Sequence, residues 1–137
     1  MKQLLYRILQ CTWGLPQTLL GLLEFIKHWN ELHYMYRGAV VTECKKNLNI
    51  SLGMFVFITE NKEGNNRERG QRILDHEYGH TLQSLLLGPL YLVIVGLPSW
   101  LWCNLPCFCE MRKRTGISYY AFYTEKWADV WGGILHR

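Results

Sequence analysis

Aspartate is scarce in this chain, charge is missing from a long internal stretch, and no cysteine pair has the spacing of a metal finger. Each shortage narrows the reading. Only two aspartates occur, Asp75 and Asp129, so an acidic site must be built largely from glutamate. No charged residue lies between His80 and Glu110. The five cysteines, Cys11, Cys44, Cys103, Cys107 and Cys109, include no Cys-x-x-Cys pair. Their odd number and the missing small-residue cleavage site of a secretory signal fit thiols in a reducing, cytosolic setting. Cys103-x-x-x-Cys107-x-Cys109 has apolar flanks and reads as buried or lipid-facing thiols. The net charge of +4 is spread out, apart from Arg67, Arg69 and Arg72 and the run Arg112-Lys113-Arg114. A basic face interleaved with exposed aromatics is absent, which argues against nucleic acid as a partner.

What is present suits one compact unit over residues 1–137: 49% of residues are hydrophobic and 14% aromatic. Residues 1–30 read as two apolar helices broken at Gly14-Leu15-Pro16. Residues 34–59 read as a β-hairpin: Tyr34 to Thr42, a polar turn at Lys45 to Asn49, then Ser51 to Thr59. Residues 61–70 read as a charged loop. A helix follows over 71–87, stopped by Gly88-Pro89, then an apolar segment over 88–109. Residues 111–116 form a basic connection, and a last helix covers 118–131. The fold class expected is α+β, mainly helical with a small antiparallel hairpin sheet.

The chemistry concentrates at His76-Glu77-Tyr78-Gly79-His80. Positions i and i+4 of a helix share a face, so His76 and His80 can offer two imidazoles to one metal ion. Glu77 can reach a metal-bound water without ligating the metal. Apolar neighbours, Ile73, Leu74, Leu82 and Leu85 to Leu87, put this helix inside the fold, where polar groups need partners. A catalytic zinc takes three protein ligands and keeps one open position. Glu125 on the last helix is the candidate third ligand. Asp129, one turn later on the same face, can hold the far nitrogen of a ligating histidine.

His-Glu-x-Gly-His followed by Glu-x-x-Ala-Asp resembles the gluzincin metallopeptidases. The match includes the small minigluzincin domains and the membrane-associated zinc peptidases that process prenylated or misfolded membrane proteins. The resemblance covers the two helices, about a quarter of the chain. It implies a zincin-like site between them, with Zn2+ on His76, His80 and Glu125, Glu77 as general base and acid, and Asp129 behind a ligand. Gly79 matches the glycine common in that motif. Membrane members usually carry a further histidine about a turn later; here that stretch is Thr81-Leu82-Gln83-Ser84. The implied activity is zinc-dependent hydrolysis of peptide bonds in a peptide or protein substrate.

Substrates of this class lie along a sheet edge. Ser51 to Thr59 is the candidate edge strand, or else an ordinary core strand. Tyr119, Tyr120 and Tyr123 are candidates for stabilising an oxyanion, or else core aromatics. The uncharged 88–109 segment is long enough to span a bilayer. A single crossing would put His80 and Glu125 on opposite sides, so a surface-lying or re-entrant segment is expected, with a cytoplasmic active site. The soluble cytoplasmic alternative packs both apolar regions as core. Two rival functions remain: a non-catalytic zinc-binding regulatory domain and a metal-free membrane interaction protein.

Overall fold

The structure is a computed structural model that describes residues 1–60 and 67–134. Its class is α+β, mainly helical with one small sheet. Helices α1 (Lys2–Thr12) and α2 (Leu15–Lys27) come first. Pro16 lies in the first turn of α2, where its missing N–H would have had no helical partner. Strands β1 (Leu32–Tyr36), β2 (Ala39–Cys44), β3 (Ile50–Leu52) and β4 (Phe55–Thr59) follow. The long helix α3 (Arg67–Leu87) carries the histidine motif. A 3-10 turn (Gly88–Leu90), a π-helical turn (Leu92–Gly96), α4 (Leu97–Asn104) and α5 (Pro106–Thr115) come next. A 3-10 turn at Tyr119–Ala121 leads into α6 (Tyr123–Gly132).

The sheet departs from the expected antiparallel hairpin. It has four strands in the order β1-β2-β4-β3, with β2 and β4 parallel and the two outer pairings antiparallel. Each run read as one strand is itself a tight hairpin. Arg37 (φ 49°) and Gly38 (φ 100°) turn between β1 and β2, and Gly53 (φ 61°) turns between β3 and β4. Two consecutive left-handed residues suit a two-residue hairpin turn. The segment around Lys45 to Asn49 is therefore a crossover that lays β4 parallel to β2. β4 misled because both of its faces are covered, so Phe55 to Ile58 is an unbroken buried run with no alternation.

Two other boundaries move. Of the expected loop at 61–70, residues 61–66 lie outside the described residues, and Arg67 to Gly70 belongs to α3. The basic connection at 111–116 is mostly the end of α5, which stops at Gly116 (φ 68°). Arg112, Lys113 and Arg114 occupy that last turn, where cations oppose the helix dipole.

Helices cover both faces of the sheet. Ala39, Val41, Val56 and Ile58 pack with Tyr6 of α1 and Leu74 of α3. Phe55, Phe57 and Cys44 face the other way, against Phe25 of α2. Helix α2 passes the β3 end of the sheet, with Gly21 so close to the Leu52 carbonyl that a Cβ there would overlap it. The candidate substrate strand is thus corrected: Phe55–Thr59 is interior, and only Ile50–Leu52 lies at the edge. That edge is partly taken. Tyr91 Oη donates to the Ser51 carbonyl at 3.4 Å.

Candidate metal centre

Helices α3 and α6 make the most extensive contact in the fold, and glycine sets their spacing. A Cβ on Gly79 would overlap the carbonyl of Ala128, and one on Gly132 would overlap the carbonyl of Asp75. The glycine inside the motif therefore lets the two backbones touch. That contact delivers Glu125 and Asp129 to the histidine face of α3.

His76, His80 and Glu125 offer one ligand atom each, all within 4.8 Å of one another. Glu125 Oε2 is 2.9 Å from His76 Nε2 and 3.3 Å from His80 Nε2. Tetrahedral zinc ligands about 2.1 Å from the ion stand about 3.4 Å apart, so the triad is close to coordination spacing. The two rings are nearly perpendicular, at 89°.

The far side of each imidazole is also fixed. His76 Nδ1 is 2.6 Å from Asp129 Oδ1. His80 Nδ1 is 2.7 Å from Gln83 Oε1, while the Gln83 amide nitrogen donates to the Thr124 carbonyl at 3.0 Å. The second contact sets the amide orientation, so Gln83 Oε1 must accept from His80. Both histidines therefore carry their protons on Nδ1 and turn Nε2 toward one carboxylate oxygen. A lone pair facing an anion is repulsive unless a cation lies between, so the donor set fits a metal ion.

In the metal-free chain a proton takes that role. Burial acts to lower the His76 pKa, but hydrogen bonds to Asp129 and Glu125 outweigh it and push it up to about 10. Burial likewise opposes ionisation of Glu125, yet its bonds to His76 and His80 hold its carboxyl well below the usual range.

Glu77 lies beside the triad and does not ligate within it. Burial raises its carboxyl pKa, with His80, His76 and Ser51 pulling the other way. Ser51 Oγ is 2.6 Å from the Glu77 carbonyl and 2.9 Å from Glu77 Oε2. With its hydrogen on the carbonyl, that hydroxyl can accept from a protonated Glu77. With its hydrogen on Oε2, it can donate to the carboxylate. Ser51 therefore suits both protonation states.

The structure brings together all five residues singled out in the sequence: His76, Glu77, His80, Glu125 and Asp129. It also adds four that sequence reasoning missed: Gln83, Ser51, Ser99 and Thr124. Gln83 falls one turn after His76-Glu77-Tyr78-Gly79-His80 on the same helix, so its position was the available signal. Ser51 and Ser99 left no signal, because both arrive by tertiary contact. Ser99 on α4 donates to Glu125 Oε1, and Thr124 Oγ1 is 3.2 Å from the same atom. Of the three tyrosines, Tyr120 packs edge-on against the His76 ring at 5.2 Å. Tyr119 is near Glu125, whose charge adds to burial in raising its pKa. Tyr123 turns away and donates to the Ile94 carbonyl at 2.7 Å.

No family model, curated protein or solved structure matches this chain.

Proposed function

We propose that this protein is a zinc-dependent metallopeptidase. The observation that carries the reading is the pair of imidazoles with Nδ1–H groups held by Asp129 and Gln83 and Nε2 atoms converging on Glu125 Oε2. His76, His80 and Glu125 would hold the zinc ion, which would supply a polarised water of near-neutral pKa. Glu77, buried and held by Ser51, would be the group that takes up a proton there and returns it to the leaving amine. Tyr119 and Tyr120 stand closest to the triad as hydroxyl donors for an oxyanion. Peptide as the substrate class rests on the resemblance to gluzincins, since the donor set supports hydrolytic metal chemistry and carries no information on its substrate.

A purely structural zinc prefers four protein ligands. Three ligands with a buried free carboxylate beside them favour hydrolysis over the regulatory reading. The test combines metal analysis with a peptide library. Wild type is expected to hold Zn2+ stoichiometrically and to cleave. Glu77→Gln should keep the metal and lose about a hundredfold or more in rate. Equal rates for the two proteins would leave a metal-binding domain without catalysis.

We also propose that the protein works against a lipid surface. What supports this is an inversion of burial in α1, α2 and the 88–104 segment. Gln10, Gln17 and Thr18 are buried, whereas Leu4, Leu5, Ile8, Leu19, Leu23 and Ile26 are each half exposed or more. Trp13, Trp29 and Trp100 are also more than half exposed, and tryptophan favours the lipid–water boundary. Among the described residues no single helix is long and apolar enough to cross a membrane, and one pair, Arg67–Leu90 with Leu92–Asn104, passes on length and composition only when taken together across a 119° bend. Vesicle flotation is the check. Leu19→Glu combined with Leu23→Glu should weaken binding roughly tenfold or more, at about 1 kcal/mol for each half-exposed leucine.

A further inference from the structure

A second group of metal-ligating side chains lies outside the centre described above, where α2 ends and β2 ends. His28 caps the C-terminus of α2, Glu31 lies in the connection to β1, and Cys44 is the last residue of β2. One ligand atom from each falls within 4.8 Å of the others. We infer that His28, Glu31 and Cys44 form a second metal site, for a borderline divalent transition ion such as Zn2+, that ties the end of α2 to strand β2.

Three observations point to a cation here. The first is an orphan. Glu31 Oε2 is buried and has no hydrogen-bond partner among the described residues, a costly state for a carboxylate oxygen. An ion at the cluster would satisfy it. The second is the histidine. His28 Nδ1 lies 3.0 Å from the Glu24 carbonyl, which can only accept, so Nδ1 carries the proton and the Nε2 lone pair is left for coordination. The third is the thiol. Cys44 is fully buried, while Cys11, Cys103 and Cys107 are exposed. Its Sγ lies 3.9 Å from the Thr42 carbonyl, and burial together with the adjoining Glu31 carboxylate pushes the thiol pKa up to about 12, so thiolate at this position calls for a cation beside it.

The donor set chooses the ion. One imidazole, one carboxylate and one thiolate suit Zn2+ and its spectroscopic substitute Co2+, and disfavour Mg2+ and Ca2+, which want oxygen alone. On binding, the Cys44 thiol releases its proton to solvent and the sulfur becomes a thiolate ligand. A cavity of about 330 Å³ lined by Glu24, Lys27, His28, Lys46, Asn47 and Leu48 opens beside the cluster. It gives an ion a way in and a place for a water as fourth ligand. Glu24 Oε1 lies 3.5 Å from His28 Nδ1, and the same carboxylate is paired with Lys27 at 2.9 Å.

Sulfur makes the two centres separable, because the triad of His76, His80 and Glu125 contains none. The experiment is a Co2+ titration of the full metal-stripped chain in which Cys11, Cys103, Cys107 and Cys109 are replaced by serine, leaving Cys44 as the single thiol. The expected result is a thiolate-to-cobalt charge-transfer band in the near ultraviolet that saturates within two equivalents, and at one equivalent in His80→Ala, where the first centre is disabled. It should survive His80→Ala and vanish in Cys44→Ser and in His28→Ala. Cobalt binding with no thiolate band in the folded chain would overturn the inference. So would a band that persists in His28→Ala. That residue is only partly buried, so its variant decides the matter even if Cys44→Ser fails to fold by circular dichroism.

Discussion

The α3–α6 contact and the layer formed by α1, α2 and residues 88–104 solve the same problem in opposite ways. Both bury polar side chains. Between α3 and α6, the buried polar groups serve the candidate centre: Asp129 and Gln83 hold the histidines and Thr124 stands against Glu125, to which half-buried Ser99 of α4 also donates. Between α1, α2 and α3, the buried polar groups hold only one another. Gln10 donates to the Thr81 carbonyl and accepts from Ser84, and Gln17 donates to Ser84 and to the Gly88 carbonyl. There the apolar side chains go outside. The lipid surface proposed above would suit a helix pair whose polar residues face its neighbours and whose leucines face outward. The difference suggests that one contact is shaped by chemistry and the other by solvent.

The first contact breaks most sharply at Gly79. Gly79→Ala puts a methyl group into the Ala128 carbonyl, and backbone on both sides leaves no flexible group to yield. The helices must separate, which carries Glu125 away from His76 and His80. The expected loss is about 3 kcal/mol of stability, read by denaturant unfolding, together with a fall in Zn2+ affinity read by chelator competition. An unchanged affinity in a folded Gly79→Ala chain would mean that close backbone approach does not set the centre.

The second contact should respond to polarity in the inverted sense. Gln10→Leu leaves the Thr81 carbonyl and Ser84 hydroxyl short of a partner and should cost about 2 kcal/mol. Leu19→Ser, on the half-exposed outer side, should change stability in micelles by no more than about 0.5 kcal/mol. If the order came out reversed, the leucine face would be core for some protein neighbour and not a surface for lipid.

The same contrast explains what the sequence could and could not disclose. The centre was legible where a helix fixes spacing: His76 and His80 lie one turn apart, and so do Glu125 and Asp129. Pro16 and Gly88 marked helix boundaries for reasons of local backbone geometry. The sheet was legible as β-rich but not in its pairing, because Gly38 and Gly53 sit inside apolar runs and the parallel register of β2 with β4 is a long-range choice. Ser51, Ser99 and the grouping of His28, Glu31 and Cys44 depend on where distant segments land, and no period in the chain encodes that. The helix α5 was hidden because a basic run reads as solvated loop and as helix C-terminus equally well.

The smallest effect is a proton count, and it separates a metal centre from a structural ion-pair network. In the metal-free chain Asp129 and Glu125 keep His76 charged up to about pH 10. A metal ion needs the neutral Nε2 lone pair, so binding must expel that proton. The sign follows directly. Below pH 10 each step downward favours the proton over the metal, so Zn2+ affinity rises with pH by about tenfold per unit through neutrality. Calorimetry at pH 7.5 in two buffers of different ionisation enthalpy should return about one proton released per Zn2+. A Cys44→Ser chain is the one to use, so that no thiol proton enters the count. Asp129→Asn removes the charge that helps hold the proton, and the release should then fall. A release near zero in the parent chain would mean that His76 is already neutral, and that the Asp129 and Glu125 contacts orient a ring without charging it.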